Sequence, residues 1–127
     1  MRSRRPEAGA AVADFALVST VLVAVFLAVM QLGLALHVRN TLVSAASEGA
    51  RLGARADAVP GQAESRTRAL IGATLSSGYA RDVSARRTTV AGVEVVEVRV
   101  VAPVPVLGLL GPDGRFDVTG RAFAEDQ

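Results

Sequence analysis

Hydrophobic and polar residues follow one another along this chain in three regimes. Positions 15–36 are 22 consecutive residues without a charge, with Ser19, Thr20 and Gln31 as the only polar side chains. At a helical rise of about 1.5 Å per residue the run is roughly 33 Å long, enough to cross a hydrocarbon core of ~30 Å. Gly33 and Ala35 offer the small-residue spacing of a secretory cleavage site. A signal-peptide core, however, is only ~7–15 residues long, so a retained membrane helix is the better reading.

Beyond the run the pattern becomes amphipathic. Val38, Leu42, Ala45, Gly49, Leu52 and Ala56 recur at spacings of three and four, so the helix is expected to continue to Ala56. Ala45, Gly49 and Gly53 step by four and form a row of small residues that lets another helix approach closely. That helix can come from the chain's own domain, which is the simpler expectation, or from another subunit. Val59, Pro60 and Gly61 break the helix. A second helix is expected over 63–77, with Ala63, Thr67, Leu70, Ile71 and Thr74 on one side. Glu64 stands four residues before Arg68, and Gly78 is the candidate C-cap.

The period then changes to two. A weak strand over 83–90, a turn at Ala91–Gly92 and a strong strand over 93–102 lead to Pro103 and Pro105, which end continuous pairing. In the strong strand Val96, Val98, Val100 and Ala102 share one face and Glu97 and Arg99 the other. Gly111, Pro112, Asp113 and Gly114 make a turn. Phe116, Val118, Gly120 and Ala122 then alternate with Asp117, Thr119 and Arg121 as a third strand. The fold class is therefore α+β: a long N-terminal transmembrane helix extends into a small domain, where a second helix lies on a three-stranded antiparallel sheet. The divisions are a basic leader at 1–9, the transmembrane and extended helix at 10–56, and a small exported domain at 57–127.

Charge refines the picture. All fourteen basic residues are Arg, against twelve acids. Residues 1–9 hold Arg2, Arg4 and Arg5 against Glu7, and the rest of the chain is balanced. The cationic head favours a cytoplasmic N-terminus and an exported domain. With no basic stripe after Gly9 and one Tyr to stack on a base, nucleic-acid binding is not expected. No Cys is present, so neither a disulfide nor a thiolate metal site is expected. His37, the only His, ends the apolar helix far from any pocket-forming loop, so no catalytic triad, small-molecule substrate, metal or cofactor is expected. Gly108, Gly111 and Gly114 imitate a phosphate loop but neither follow a strand nor open a helix. Glu94 and Glu97 face opposite sides of a strand and are not a carboxylate pair. The apolar stretch 104–110 reads as a core-lining loop in preference to an exposed patch.

Asp14 is the one residue that asks for a functional account. A carboxylate in a membrane helix costs several kcal/mol unless it snorkels to the headgroups, protonates or meets a cation. Ala10 lies one helical turn earlier. If the chain were cut after Gly9, the new amine of Ala10 would be such a cation, within one chain or between neighbours.

Gly9, the four residues Ala10, Ala11, Val12 and Ala13, and then Asp14, Phe15, Ala16 and Leu17 resemble the prepilin processing site and helix start of TadE-like pseudopilins. The resemblance continues through Arg39–Asn40 and through Ala45, Ala46, Ser47, Glu48, Gly49, Ala50 and Arg51, which are similar to the family's A-x-x-EGAR block. It covers about the first 55 residues. Two features depart from the pattern: Asp14 stands where Glu is more common, and Thr20 occupies a region that often carries Pro. The resemblance implies a minor pilin-like subunit of a tight-adherence (type IVc) pilus or related secretion apparatus. Such a subunit is a non-enzymatic bacterial membrane protein, inserted with its N-terminus in the cytoplasm and cut after Gly9 by a prepilin peptidase. Its partners are membrane lipid, that peptidase and other pilin and pseudopilin subunits. Two other readings remain open: an uncut single-pass protein whose exported domain binds a partner, and a domain released after Ala35.

Overall fold

The computed structural model describes residues 5–105 and 114–125. Helix α1 spans Arg5–Gly53 and helix α2 spans Gln62–Thr74. A short 3-10 turn at Ser77–Ala80 leads into strands β1 (Asp82–Val90), β2 (Val93–Pro103) and β3 (Arg115–Phe123). The chain divides into two compact units, Met1–Gly33 and Leu34–Gln127.

In the first unit α1 is a bare helix. Large apolar side chains from Val12 to Met30 face outward, Phe15 at 75% exposure and Phe26 at 61%. By length and composition α1 qualifies to cross a membrane, and none of its most apolar window is buried within the chain. The Thr20 hydroxyl donates to the Ala16 carbonyl at 2.7 Å, which satisfies it inside an apolar segment, and the helix runs unbroken through this position.

In the second unit the strands form an antiparallel meander in the order β1-β2-β3. Val83 pairs with Val100, Val98 with Gly120 and Val100 with Val118. The inner faces of the strands carry Val83, Val96, Val98, Val100, Ala102 and Val118. They close over Val38, Leu42, Ala46 and Ala50 of α1 and Ile71 of α2. Each large apolar side chain so buried contributes about 1.5–3 kcal/mol. The β1–β2 connection is a two-residue turn with positive φ at both Ala91 (51°) and Gly92 (82°), the backbone that matches strand twist in a tight hairpin.

The structure moves both helix ends. α1 stops at Gly53, leaving Leu52 half-buried and Ala56 exposed, because residues after β3 take over its end. Glu125 N–H donates to the Ala54 carbonyl at 2.8 Å, and Ala56 N–H donates to the Glu125 carboxylate at 3.4 Å. α2 ends at Thr74, so Gly78 is not its C-cap and lies instead in the 3-10 turn. Leu75 turns to extended backbone and donates its N–H to the Ile71 carbonyl at 2.7 Å. This early stop turns Leu75, Tyr79 and Ala80 onto the core, where each is half-buried. Of the side expected to pack, Thr74 is exposed. Arg68 donates to the Val83 carbonyl at 3.0 Å, tying α2 to the edge of β1. Of the proposed 111–114 turn and the 104–110 stretch, residues 106–113 lie outside the described residues; Val104 and Pro105 are half-buried, and Val104 N–H donates to the Gly114 carbonyl at 3.0 Å.

Candidate functional site

Two groups of residues carry the functional reading, and both lie on α1. Gly9, Ala10, Asp14 and Phe15 are helical and exposed, with nothing within 4 Å of a Cβ built at Gly9. Ala10 and Asp14 are one turn apart on the same face, and the peptide bond after Gly9 lies inside the helix.

The second group is the small-residue row. Ala45 is buried, and its carbonyl accepts a 3.4 Å hydrogen bond from the Thr67 hydroxyl of α2, which also donates to Ala63 at 2.8 Å. A Cβ on Gly49 would collide with Thr67 and come within 2.7 Å of the Ala63 carbonyl oxygen. A Cβ on Gly53 would lie 2.7 Å from Ala63 Cβ and 3.3 Å from Val96 Cγ1. The row therefore receives α2 of the same chain. Its small residues let the two backbones meet with a hydroxyl, not a long side chain, between them.

This contact divides the block from Glu48 to Arg51. Gly49 and Ala50 are buried, while Glu48 and Arg51 face outward. Glu48 lies 3.9 Å from the Arg66 guanidinium of α2, a surface pairing worth at most about 1 kcal/mol. Arg51 is in no ion pair among the described residues.

Sequence reasoning missed two features. Gly120 in β3 lies against the α1 backbone, where a Cβ would meet Ser47 N and come within 2.7 Å of the Ala46 oxygen. An isolated Gly inside an alternating strand is the signal for such an approach. On the opposite face of the sheet, Glu97 is gripped from both neighbouring strands. Arg121 Nε is 2.6 Å from one carboxylate oxygen, and Arg86 Nη2 is 2.9 Å from the other. These bonds, Arg121 first and Arg86 next, hold the Glu97 carboxyl below its ordinary range despite its burial. Arg99 likewise donates to Asp117, with Nε at 2.7 Å, and lowers that carboxyl.

A groove of about 580 Å³ lies over this face, walled by Ser84, Arg86, Glu97, Arg99, Asp117 and Thr119. Its charged groups are spent on one another, and it holds no nucleophile–base pair. Among the described residues no three His, Cys, Asp or Glu side chains converge as a metal site, and His37 is exposed.

Residues 9–51 match the TadE-like protein family. The match opens at Gly9 and closes at Arg51, so it contains both groups of residues described above and leaves α2 and the sheet outside it. The TadE-like segment thus includes the exposed apolar helix and the part of α1 that docks α2. No curated protein and no solved structure matches the chain at a significant level.

Proposed function

We propose that the chain is a membrane-anchored, non-enzymatic pilin-like subunit that supports assembly of a tight-adherence (type IVc) pilus or a related secretion apparatus. The observation that carries this reading is the TadE-like match over 9–51, coincident with an apolar helix whose side chains the chain itself leaves uncovered. The TadE-like family is associated with pilus assembly and is generally non-enzymatic. In the proposed sequence of events the arginine-rich head stays in the cytoplasm and a prepilin peptidase cuts after Gly9. The Ala10 amine then meets Asp14 of the same or a neighbouring subunit, while other pilin and pseudopilin subunits cover the apolar helix.

Mass spectrometry of the protein made with and without the peptidase tests the cut. The expected product begins at Ala10 only when the peptidase is present, and an intact Met1 terminus in both samples overturns processing. The alternative is an uncut single-pass anchor with a partner-binding exported domain. What favours it is the continuity of α1 through the bond after Gly9, since a regular helix withholds that bond from a peptidase. N-terminal sequencing of the native protein separates the two.

A further inference from the structure

Contacts along α1 fix its direction against the sheet. Gly120, paired with Val98, rests on Ala46 and Ser47, and Gly53 lies beside Val96. The Ala54 carbonyl is bonded to Glu125, next to Ala124, whose N–H donates to Glu94. The C-terminal end of α1 therefore lies at the hairpin end of β2, and earlier residues of α1 lie toward Pro103. From Val98 to Pro103 the strand advances about 16 Å, at ~3.3 Å per residue. On a helix that distance is about eleven residues, from Ala46 back to about position 35. Leu34 agrees, being half-buried against the same core as Phe116 and Ala102. The end of the sheet where Pro103 pairs with Arg115 is thus level with Leu36, the last residue of the uncharged run.

Three arginines lie at this end: Arg39, one turn past the run, Arg81, just before β1, and Arg115, the first residue of β3. All three are exposed, and none is in an ion pair among the described residues. Arg51 and Arg68 are likewise in no ion pair among the described residues, but other arginines away from this end are paired. Arg55 pairs with Asp57 and Arg87 with Glu94 at the hairpin end, and Arg86 and Arg121 hold Glu97. Among the described residues, counting Arg99 with the three and Asp82 and Asp117 against them, the Pro103 end keeps an excess of two positive charges, with Asp113 outside the count.

We infer that this end of the domain is a second membrane contact, in which Arg39, Arg81 and Arg115 bind anionic phospholipid headgroups of the leaflet facing the domain. Val104 and Pro105 lie at the boundary beneath them. The inference rests on the membrane-anchored reading of α1. Cations within a Debye length of an anionic surface gain from it, and arginine matches phosphate with two donors at once.

The absence of Cys allows a direct test on the full chain in vesicles. Single variants Val104→Cys, Val59→Cys and Val29→Cys carry an environment-sensitive fluorophore, and nitroxide-bearing lipids act as quenchers. The vesicles are phosphatidylcholine alone or mixed with phosphatidylglycerol. Quenching at 104 is expected to exceed that at 59 and to rise with phosphatidylglycerol. It should fall as salt increases from about 0.1 M to 1 M, which shortens the Debye length from ~10 to ~3 Å. Replacing Arg39, Arg81 and Arg115 together with Gln is expected to abolish the lipid and salt dependence; because all three are exposed, the fold is retained. Quenching at 29 with equal signals at 104 and 59 overturns the surface contact and leaves the anchor standing. No quenching at 29 overturns the anchor and the contact together. Quenching at 104 that ignores phosphatidylglycerol overturns the role of the arginines.

Discussion

Gly120 of β3 rests on the main chain of Ala46 in α1, so close that a Cβ would come within 2.7 Å of the Ala46 carbonyl oxygen. The neighbour is backbone and has no rotamer with which to yield. Gly120→Ala is therefore expected to push α1 off the sheet and cost about 1–3 kcal/mol, the usual penalty of overpacking. Chemical denaturation of the detergent-solubilised chain, followed by circular dichroism, reads the loss; an unchanged midpoint would refute the close approach.

Gly49 and Gly72 form a matched pair for separating packing from helix propensity. Both are helical, but a Cβ at Gly72 meets nothing within 4 Å, whereas one at Gly49 strikes Thr67 and Ala63. Gly72→Ala should stabilise the fold by about 0.5–1 kcal/mol. Gly49→Ala should destabilise it by about 1–3 kcal/mol. If the two variants shift the unfolding midpoint in the same direction, the helix contact is not as described.

Ala91 has positive φ in the β1–β2 turn, a conformation that costs a residue with a Cβ about 1–2 kcal/mol. Asn tolerates it and precedes Gly in the commonest turns of this kind. Ala91→Asn is expected to raise the melting temperature, and Ala91→Val to lower it.

Glu97 and Asp117 give the domain an acid-side stability slope. Both carboxyls are held below their ordinary values of 4.5 and 3.8 by bonded arginines. Because the folded-state value is the lower one, the stabilisation is fully present above the unfolded-state value and is lost as pH falls through the folded-state value. Melting temperature should be flat from neutral pH to about 5 and decline below it. Glu97→Gln should lower stability at pH 7 and flatten that decline. A variant with the same acid limb as the parent would assign the slope to other groups.

Asp14→Ala is expected to spare membrane insertion and to reduce pilus output, whereas Asp14→Glu, with a longer reach, should keep it. Surface pilin recovered by shearing measures both, and unchanged output from the Ala variant removes Asp14 from assembly.

The periodicities disclosed the order of elements and the inward faces of β2 and β3, because alternation leaves little choice once one face is buried. The helix ends were less legible. Gly53 and Thr74 close their helices through partners distant in sequence, Glu125 for the first and the core beneath Leu75 and Tyr79 for the second. Spacing along a single helix does not encode such partners. The row Ala45, Gly49 and Gly53 announced a close neighbour without saying which, and Thr67 identifies it only through the fold. Spacing along β2 relates Glu97 only to its neighbours in that strand, Glu94 and Arg99. Its two arginines stand on separate strands and meet it only through the register that pairs Glu97 with both Arg86 and Arg121.

The contact between Gly120 and Ala46 also sets an order of events during synthesis. The apolar face of α1 from Val38 to Ala50 emerges early, and the strand that seats against Ala46 emerges after β1 and β2. Until β3 is made, the stretch of that face around Ala46 lacks the strand that seats on it. For that interval it is a surface that a chaperone, the bilayer or another nascent copy can occupy.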